Sequence, residues 1–175
     1  MADLTFNTAA GQTIARELVI ACLNTGTSSS PTWTPIGKRV EDSSEEMDWS
    51  KESIQDILGR TYTTMKKPVI TQSFDPMDLE ASDAALEKLW NLAVKDQNAQ
   101  ALQAMDMLIV HRYAGTASSA EFAERYEACA ISITSLGGEG GGNIGMPIEV
   151  TYGGTRTTGT AAVTSAGVIT FTADT

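Results

Sequence analysis

Histidine is nearly absent from this 175-residue chain, with one copy, and cysteine is limited to two. A catalytic triad or a typical zinc site needs histidine or cysteine partners at workable spacing, so a lone His111 between Val110 and Arg112 reads as an ordinary strand residue. Cys22 and Cys129 lie far apart, each inside an apolar, strand-like run, which predicts two buried free thiols and no disulfide framework. Long apolar runs are missing too: Leu18 to Leu23 and Met107 to Val110 fall far short of the roughly 20 residues that span a bilayer. The N-terminal stretch MADLTFNTAAGQTIAREL lacks a basic region followed by an apolar one, so the expectation is no secretory signal and cytoplasmic synthesis. Basic residues are outnumbered, twelve against twenty-two acidic, for a formal charge of −10. A field of that sign repels polyanions, so any meeting with DNA would be without grip.

What is present is enough apolar material, 42%, for one packed domain. Glu17 to Leu23 reads as a strand, NTGTSSSP as an exposed loop, and Trp33 to Val40 as extended chain with Pro35 favouring an edge. Ile54 to Met65 and Pro68 to Phe74 are rich in β-branched and aromatic residues, and predict two antiparallel strands turning at Lys66 and Lys67. The one strong helical pattern is SDAALEKLWNLAVKD, where Leu86, Leu89, Trp90 and Ala93 form an apolar stripe and Ser82 serves as cap. Met105 to Tyr113 and Phe122 to Ile133 read as longer strands. In the second the apolar phase shifts by one residue between Tyr126 and Cys129, which predicts a bulge or burial on both faces. A flexible glycine-rich loop over 137–145 precedes PIEVTY, whose Ile148, Val150 and Tyr152 point inward, and the chain ends in a hairpin around SerAlaGly. Seven or eight strands with one inserted helix, and no βαβ alternation, point to a mainly β domain: an antiparallel sandwich or partly open barrel with a helix on its flank.

Motifs that could carry chemistry fail on context. Gly140, Gly142 and Gly145 match the dinucleotide spacing, but a β-alternating segment follows instead of the helix N-terminus that would receive pyrophosphate. No GxSxG elbow occurs, and no carboxylate pair can be assigned a glycosidase separation from sequence. The densest charge is VEDSSEEMDWSKES, with Glu41, Asp42, Glu45, Glu46 and Asp48 followed by Trp49. It lacks the glycine and the DxDxDG order of a calcium loop. Met47 and Trp49, alternating within a charged element, suit an interface better than a solvated tail. No catalytic residue, metal or cofactor is expected.

The central stretch TPIGKRVEDSSEEMDWSKESIQDILGRTYTTMKKPVITQSFDPMD resembles the major tail tube proteins of long-tailed bacteriophages. There an Ile-Gly turn (here Ile36, Gly37) leads into an Asp/Ser acidic segment (Asp42, Ser43), and Asp-Ile-x-Gly (Asp56, Ile57, Gly59) precedes the next strand, with Asp75 and Pro76 closing the segment. The ending is similar as well, with Gly153, Gly159, Val168 and Phe171 at the turn and strand positions of that family. The resemblance covers roughly residues 15 to 173. It implies a helix-flanked β-sandwich that assembles as hexameric rings stacked into a tube, in the tail of the virion after synthesis in a host bacterium. It implies partners of three kinds: other copies of the chain, tape measure, terminator and distal tail proteins, and DNA passing through without specific binding. An acidic lumen suits such a conduit because it lowers the counterion-release gain that would hold phosphates to the wall.

The resulting expectation is a single domain over 1–175, with an N-terminal arm over about 1–14, a long acidic loop over about 41–55, and the glycine-rich loop. Glu41, Asp42, Glu45, Glu46, Met47, Asp48 and Trp49 are the candidate inter-subunit residues, and deletion of 41–52 should leave a folded monomer that cannot polymerise. Two rival readings stand beside it: the inner tube of a contractile tail or injection system, and a β-sandwich that binds carbohydrate or a cell surface through exposed aromatics.

Overall fold

The computed structural model describes residues 4–174. Strands β1 (Val19–Asn24), β2 (Trp33–Pro35) and β3 (Glu45–Asp48) come first, then β4 (Glu52–Gln55), β5 (Thr61–Thr64) and β6 (Val69–Phe74). Helix α1 (Ala84–Trp90) runs into a π turn over Asn91–Lys95 and a short α2 (Ala99–Leu102). The long strands β7 (Met105–Thr116) and β8 (Ala120–Ile133) follow, then β9 (Ile148–Tyr152), β10 (Arg156–Val163) and β11 (Ile169–Ala173). Nine strands form one antiparallel sheet in the order β2-β1-β7-β8-β9-β6-β3, with β10 and β11 branching from β8, while β4 and β5 pair only with each other.

The branch arises along β8. Its first half pairs with β10 from Glu121 to Tyr126, its last residues Ala130 to Ile133 pair with β9, and between them the register with β7 slips, Met105 facing Cys129 and Met107 facing Tyr126. The phase shift expected from sequence is therefore a bulge, and both Tyr126 and Cys129 are buried. Gly153 and Gly154 let the β9–β10 turn press onto it, since a Cβ at Gly154 would stand 2.7 Å from that of Ala128.

Because the sheet forks, β1 and β7 are covered on both faces. Ala21, Leu23, Met107 and Ile109 join the cluster under α1 and β9, while Cys22, Leu108 and Val110 join Trp33, Ala161 and Ile169 on the other side. Two-sided burial explains why these strands read as continuous apolar runs instead of alternating ones. The result is a mainly β, antiparallel fold carrying one helix on its flank, with an open rather than closed barrel.

Several expectations are corrected. Among the described residues eleven strands form where seven or eight were expected. Ile54 to Met65 is not one strand: it turns at Asp56 to Gly59 into the β4–β5 hairpin, and β6 pairs with β3 and β9 instead. The acidic segment 41–55 is not a loop, because β3 and β4 lie within it. The α1 cap is Asp83, whose carboxylate accepts from the amides of Ala85 and Leu86, while Ser82 takes a left-handed turn at φ 68°. The buried stripe is Ala85, Leu86 and Leu89, with Leu92 packed against the same cluster. Trp90, expected on that stripe, is 36% exposed, and Ala93 is only half-buried. The stripe centres nearer Ala85, and the wider π turn, closed by the Asp96 amide on the Asn91 carbonyl at 2.9 Å, rotates the following residues out of helical phase. The glycine-rich loop is fastened at its neck, where Gly137 and Gly145 exchange backbone hydrogen bonds at 3.0 and 2.7 Å. Of the expected N-terminal arm, residues 1–3 lie outside the described part, and Phe6 bridges to Ala114 at the far end of β7.

Candidate assembly surface

Residues 45–74 form an arm that roots in the sheet and extends beyond it. At the root, β3 pairs with β6 from Glu45–Gln72 to Asp48–Val69. Pairing breaks where the Asp48 carboxylate accepts the Ser50 amide at 2.8 Å and Ser50 turns to φ 43°. It resumes with the Lys66 amide on the Trp49 carbonyl at 3.0 Å and continues through β4 and β5. The tip is built by Asp56: its carboxylate accepts from the amides of Leu58 and Arg60, both at 2.9 Å, and Gly59 supplies the φ of 77° that closes the turn. The Asp-Ile-x-Gly motif is thus a hairpin turn that leads directly into β5.

The arm leaves apolar side chains uncovered. Met47, Trp49, Ile54, Ile57, Leu58, Tyr62, Met65 and Val69 are eight of the fifteen strongly exposed large apolar residues among those described, with Ile57 fully exposed and Leu58 74% exposed. All eight residues of β4 and β5 are exposed, so the hairpin buries nothing against its own body. An isolated two-stranded hairpin is marginal in water, and one tipped with Ile and Leu has a strong gain available from any surface that covers it.

The candidate residues divide along the arm. Glu41 and Asp42 precede β3 and are exposed. Glu46, Met47 and Asp48 are exposed on β3, an edge strand with one free side, and Met47 and Trp49 line a groove with Met65, Tyr126 and Tyr152. Glu45 is half-buried and turns toward the body. Burial pushes its carboxyl up, with the Glu124 charge adding and the His111 and Arg16 charges opposing. The residues that sequence reasoning missed are Ile54, Ile57, Leu58 and Tyr62, read as strand interior. The available signal was Asp56 with Gly59 three positions on, an Asx-type turn inside an apparent strand.

Beside the root, the body carries a polar network centred on Glu124. Glu124 accepts from Arg156 Nε at 2.6 Å and Tyr126 OH at 2.7 Å, and lies 3.2 Å from His111 Nε2, whose Nδ1 is 3.1 Å from Tyr113 OH. Burial pushes the Glu124 carboxyl up, but the hydrogen bonds from His111, Arg156 and Tyr126 outweigh it and bring it down to about 2. Beside it, Arg16 donates to the Ser43 carbonyl at 3.0 and 2.7 Å, and Ser43 donates to the Ser73 carbonyl at 2.7 Å. Removing residues 41–52 would therefore strip a sheet edge as well as an exposed surface, so the hairpin beyond it is the cleaner part to alter. Among the described residues no group of His, Cys, Asp and Glu side chains is placed to hold a metal ion, and no helix is long and apolar enough to cross a membrane.

No protein-family model and no curated protein matches the chain. Solved structures do. The sheath/tube terminator of an extracellular contractile injection system, PVC, in its extended state, aligns at TM-score 0.51 and 9% identity over 86% of this chain and 99% of that one. The PVC sheath–tube complex aligns at 0.48 and 8% over 86% and 94%, and the anti-feeding prophage tube-terminating cap at 0.48 and 13% over 89% and 96%. At 9% identity the terminator likeness is one of fold, and the strand order and flanking helix are compatible with a tail-tube-like β fold.

Proposed function

We propose that this chain is a non-enzymatic structural subunit that self-assembles, through its arm, into rings stacked as a tail tube. The observation that carries the reading is the hairpin of β4 and β5, wholly exposed and tipped by Ile57 and Leu58. A monomer gains nothing from projecting such an element into water, whereas a neighbouring copy would cover it. The finer reading is the major tail tube of a long-tailed phage, with six subunits per ring, DNA passing through the lumen, and tape measure, terminator and distal tail proteins as partners. The tail-tube-like fold and the acidic balance of the chain support it. A second reading, a tube or terminator component of a contractile injection system, is favoured by the likeness to the PVC sheath/tube terminator. The two differ in the outer surface, which only the second requires to meet a sheath.

The test is sedimentation of the purified chain against a variant in which residues 53–63 are replaced by a short Gly-Ser turn. Concentrated wild-type protein should sediment as rings or longer stacks and the variant as a folded monomer. Equal assembly of the two would overturn the role given to the arm.

A further inference from the structure

The arm's apolar tip has a matching socket, and that socket sits at the other end of the same arm. A groove between the chain leading into β1, the Ile36–Val40 segment and the end of β6 has Val19, Ile36, Val40 and Phe74 in its apolar lining, and the carboxylates of Glu17 and Glu41 stand on its margin. Both glutamates are exposed. The one basic side chain in its wall, Arg16, is occupied by the carbonyls of Ser43 and Val19, the latter at 2.8 Å. The groove therefore offers an apolar floor under an acidic rim.

The tip has the complementary character. Ile57 and Leu58 project from the turn, and Arg60 follows after Gly59, with no carboxylate in salt-bridge range among the described residues. Asp56, the acid at the tip, spends its Oδ1 on the amides of Leu58 and Arg60 and its backbone on closing the turn. With Asp56 and Arg60 the tip is charge-balanced, a local exception in a chain of formal charge −10, and its unpaired guanidinium beside Ile57 and Leu58 suits an acid-rimmed apolar groove.

We infer that the Ile57–Arg60 tip of one copy seats in the Glu17/Glu41-rimmed groove at the arm root of the next copy. Resting on the self-assembly reading above, the inference adds the receiving surface and the direction. Glu41 lies just before β3 and Ile57 just after β4, so the paired strands of the arm hold the knob away from its own socket. A chain that cannot fill its own socket fills its neighbour's. Knob and socket are different surfaces, so the contact is heterologous: it propagates head to tail and closes into a ring or continues as a helix.

Engineered cysteines test the direction, because Cys22 and Cys129 are buried and leave a clean background. The double variant Leu58→Cys with Glu41→Cys, oxidised under assembling conditions, should give a ladder of crosslinked species running past the dimer. Leu58→Cys alone should not exceed the dimer. A parallel charge exchange reads the same contact without crosslinking. Arg60→Glu alone, and Glu17→Lys with Glu41→Lys, should each raise the concentration needed for assembly by about two- to fivefold, the order expected for losing a rim ion pair. The three changes combined should restore it. A ladder that stops at dimer, or charge variants that assemble like wild type while the hairpin replacement abolishes assembly, would overturn this socket and leave the arm's role standing; the outcome to compare then is Trp90→Ala, whose loss of assembly would place the contact beside α1. Wild-type protein that stays monomeric at high concentration would overturn both.

Discussion

Replacing Ile57 and Leu58 by serine should separate folding from assembly. Both side chains are exposed, and neither belongs to the two apolar clusters that form the core. Exposed substitutions of this kind shift monomer stability by no more than about 0.5 kcal/mol. In an interface the same two side chains would each contribute about 1.5–3 kcal/mol on full burial. Their joint loss removes about 3–6 kcal/mol per contact, and at about 1.4 kcal/mol per factor of ten the association weakens by about 10²–10⁴. Urea unfolding of the dilute variant should match wild type in midpoint and slope, while sedimentation velocity across a concentration series should show the variant remaining monomeric where wild type assembles. Two results would refute the reasoning. An unchanged assembly profile would mean the tip meets nothing, and a large drop in the unfolding midpoint would mean it packs on its own body.

Three further predictions concern the body that carries the arm. Glu124, with its carboxyl brought down to about 2, stabilises the folded state fully above its ordinary pKa of 4.5, and that contribution, about 3 kcal/mol, should be lost as pH falls from about 4.5 toward 2; Glu124→Gln should flatten the acid limb of the stability curve, and an unchanged limb would contradict the network. Leu89→Ala, deleting a fully buried side chain, should cost about 2–5 kcal/mol in denaturant unfolding, whereas Trp90→Ala at the exposed margin of α1 should cost far less; equal losses would return Trp90 to the core stripe. Burial pushes the thiols of Cys22 and Cys129 up to about 12, so neither should react with a thiol reagent at neutral pH until the protein unfolds, and rapid labelling of the native chain would show the core more open than described.

The elements legible in the sequence were those whose pattern reports burial directly. The alternation of Ile148, Val150 and Tyr152 gave β9, the SerAlaGly turn gave the β10–β11 hairpin, and the phase slip between Tyr126 and Cys129 gave the bulge on which the sheet forks. The arm was misread because β propensity does not distinguish a strand in a core from one in a free hairpin: Ile54, Ile57, Leu58 and Tyr62 have the composition of an interior and lie in water. Trp90 was misplaced because the buried stripe of α1 centres on Ala85, Leu86 and Leu89, which leaves Trp90 at its margin, and the π turn beginning at Asn91 then carries Ala93 out of the 3.6-residue phase. The acidic run is mostly exposed, but its partition into exposed Glu46 and Asp48 and inward Glu45 depends on pairing with β6, a partner more than twenty residues away. The network around Glu124 was invisible for the same reason, as His111, Glu124 and Arg156 come from three strands.

The most direct test of the central claim is negative-stain electron microscopy of the concentrated, purified chain. Rings or tubes with a central hole are the predicted result, disappearing when Ile57 and Leu58 are replaced by serine. Monodisperse single particles at every concentration, or compact aggregates without a lumen, would contradict it.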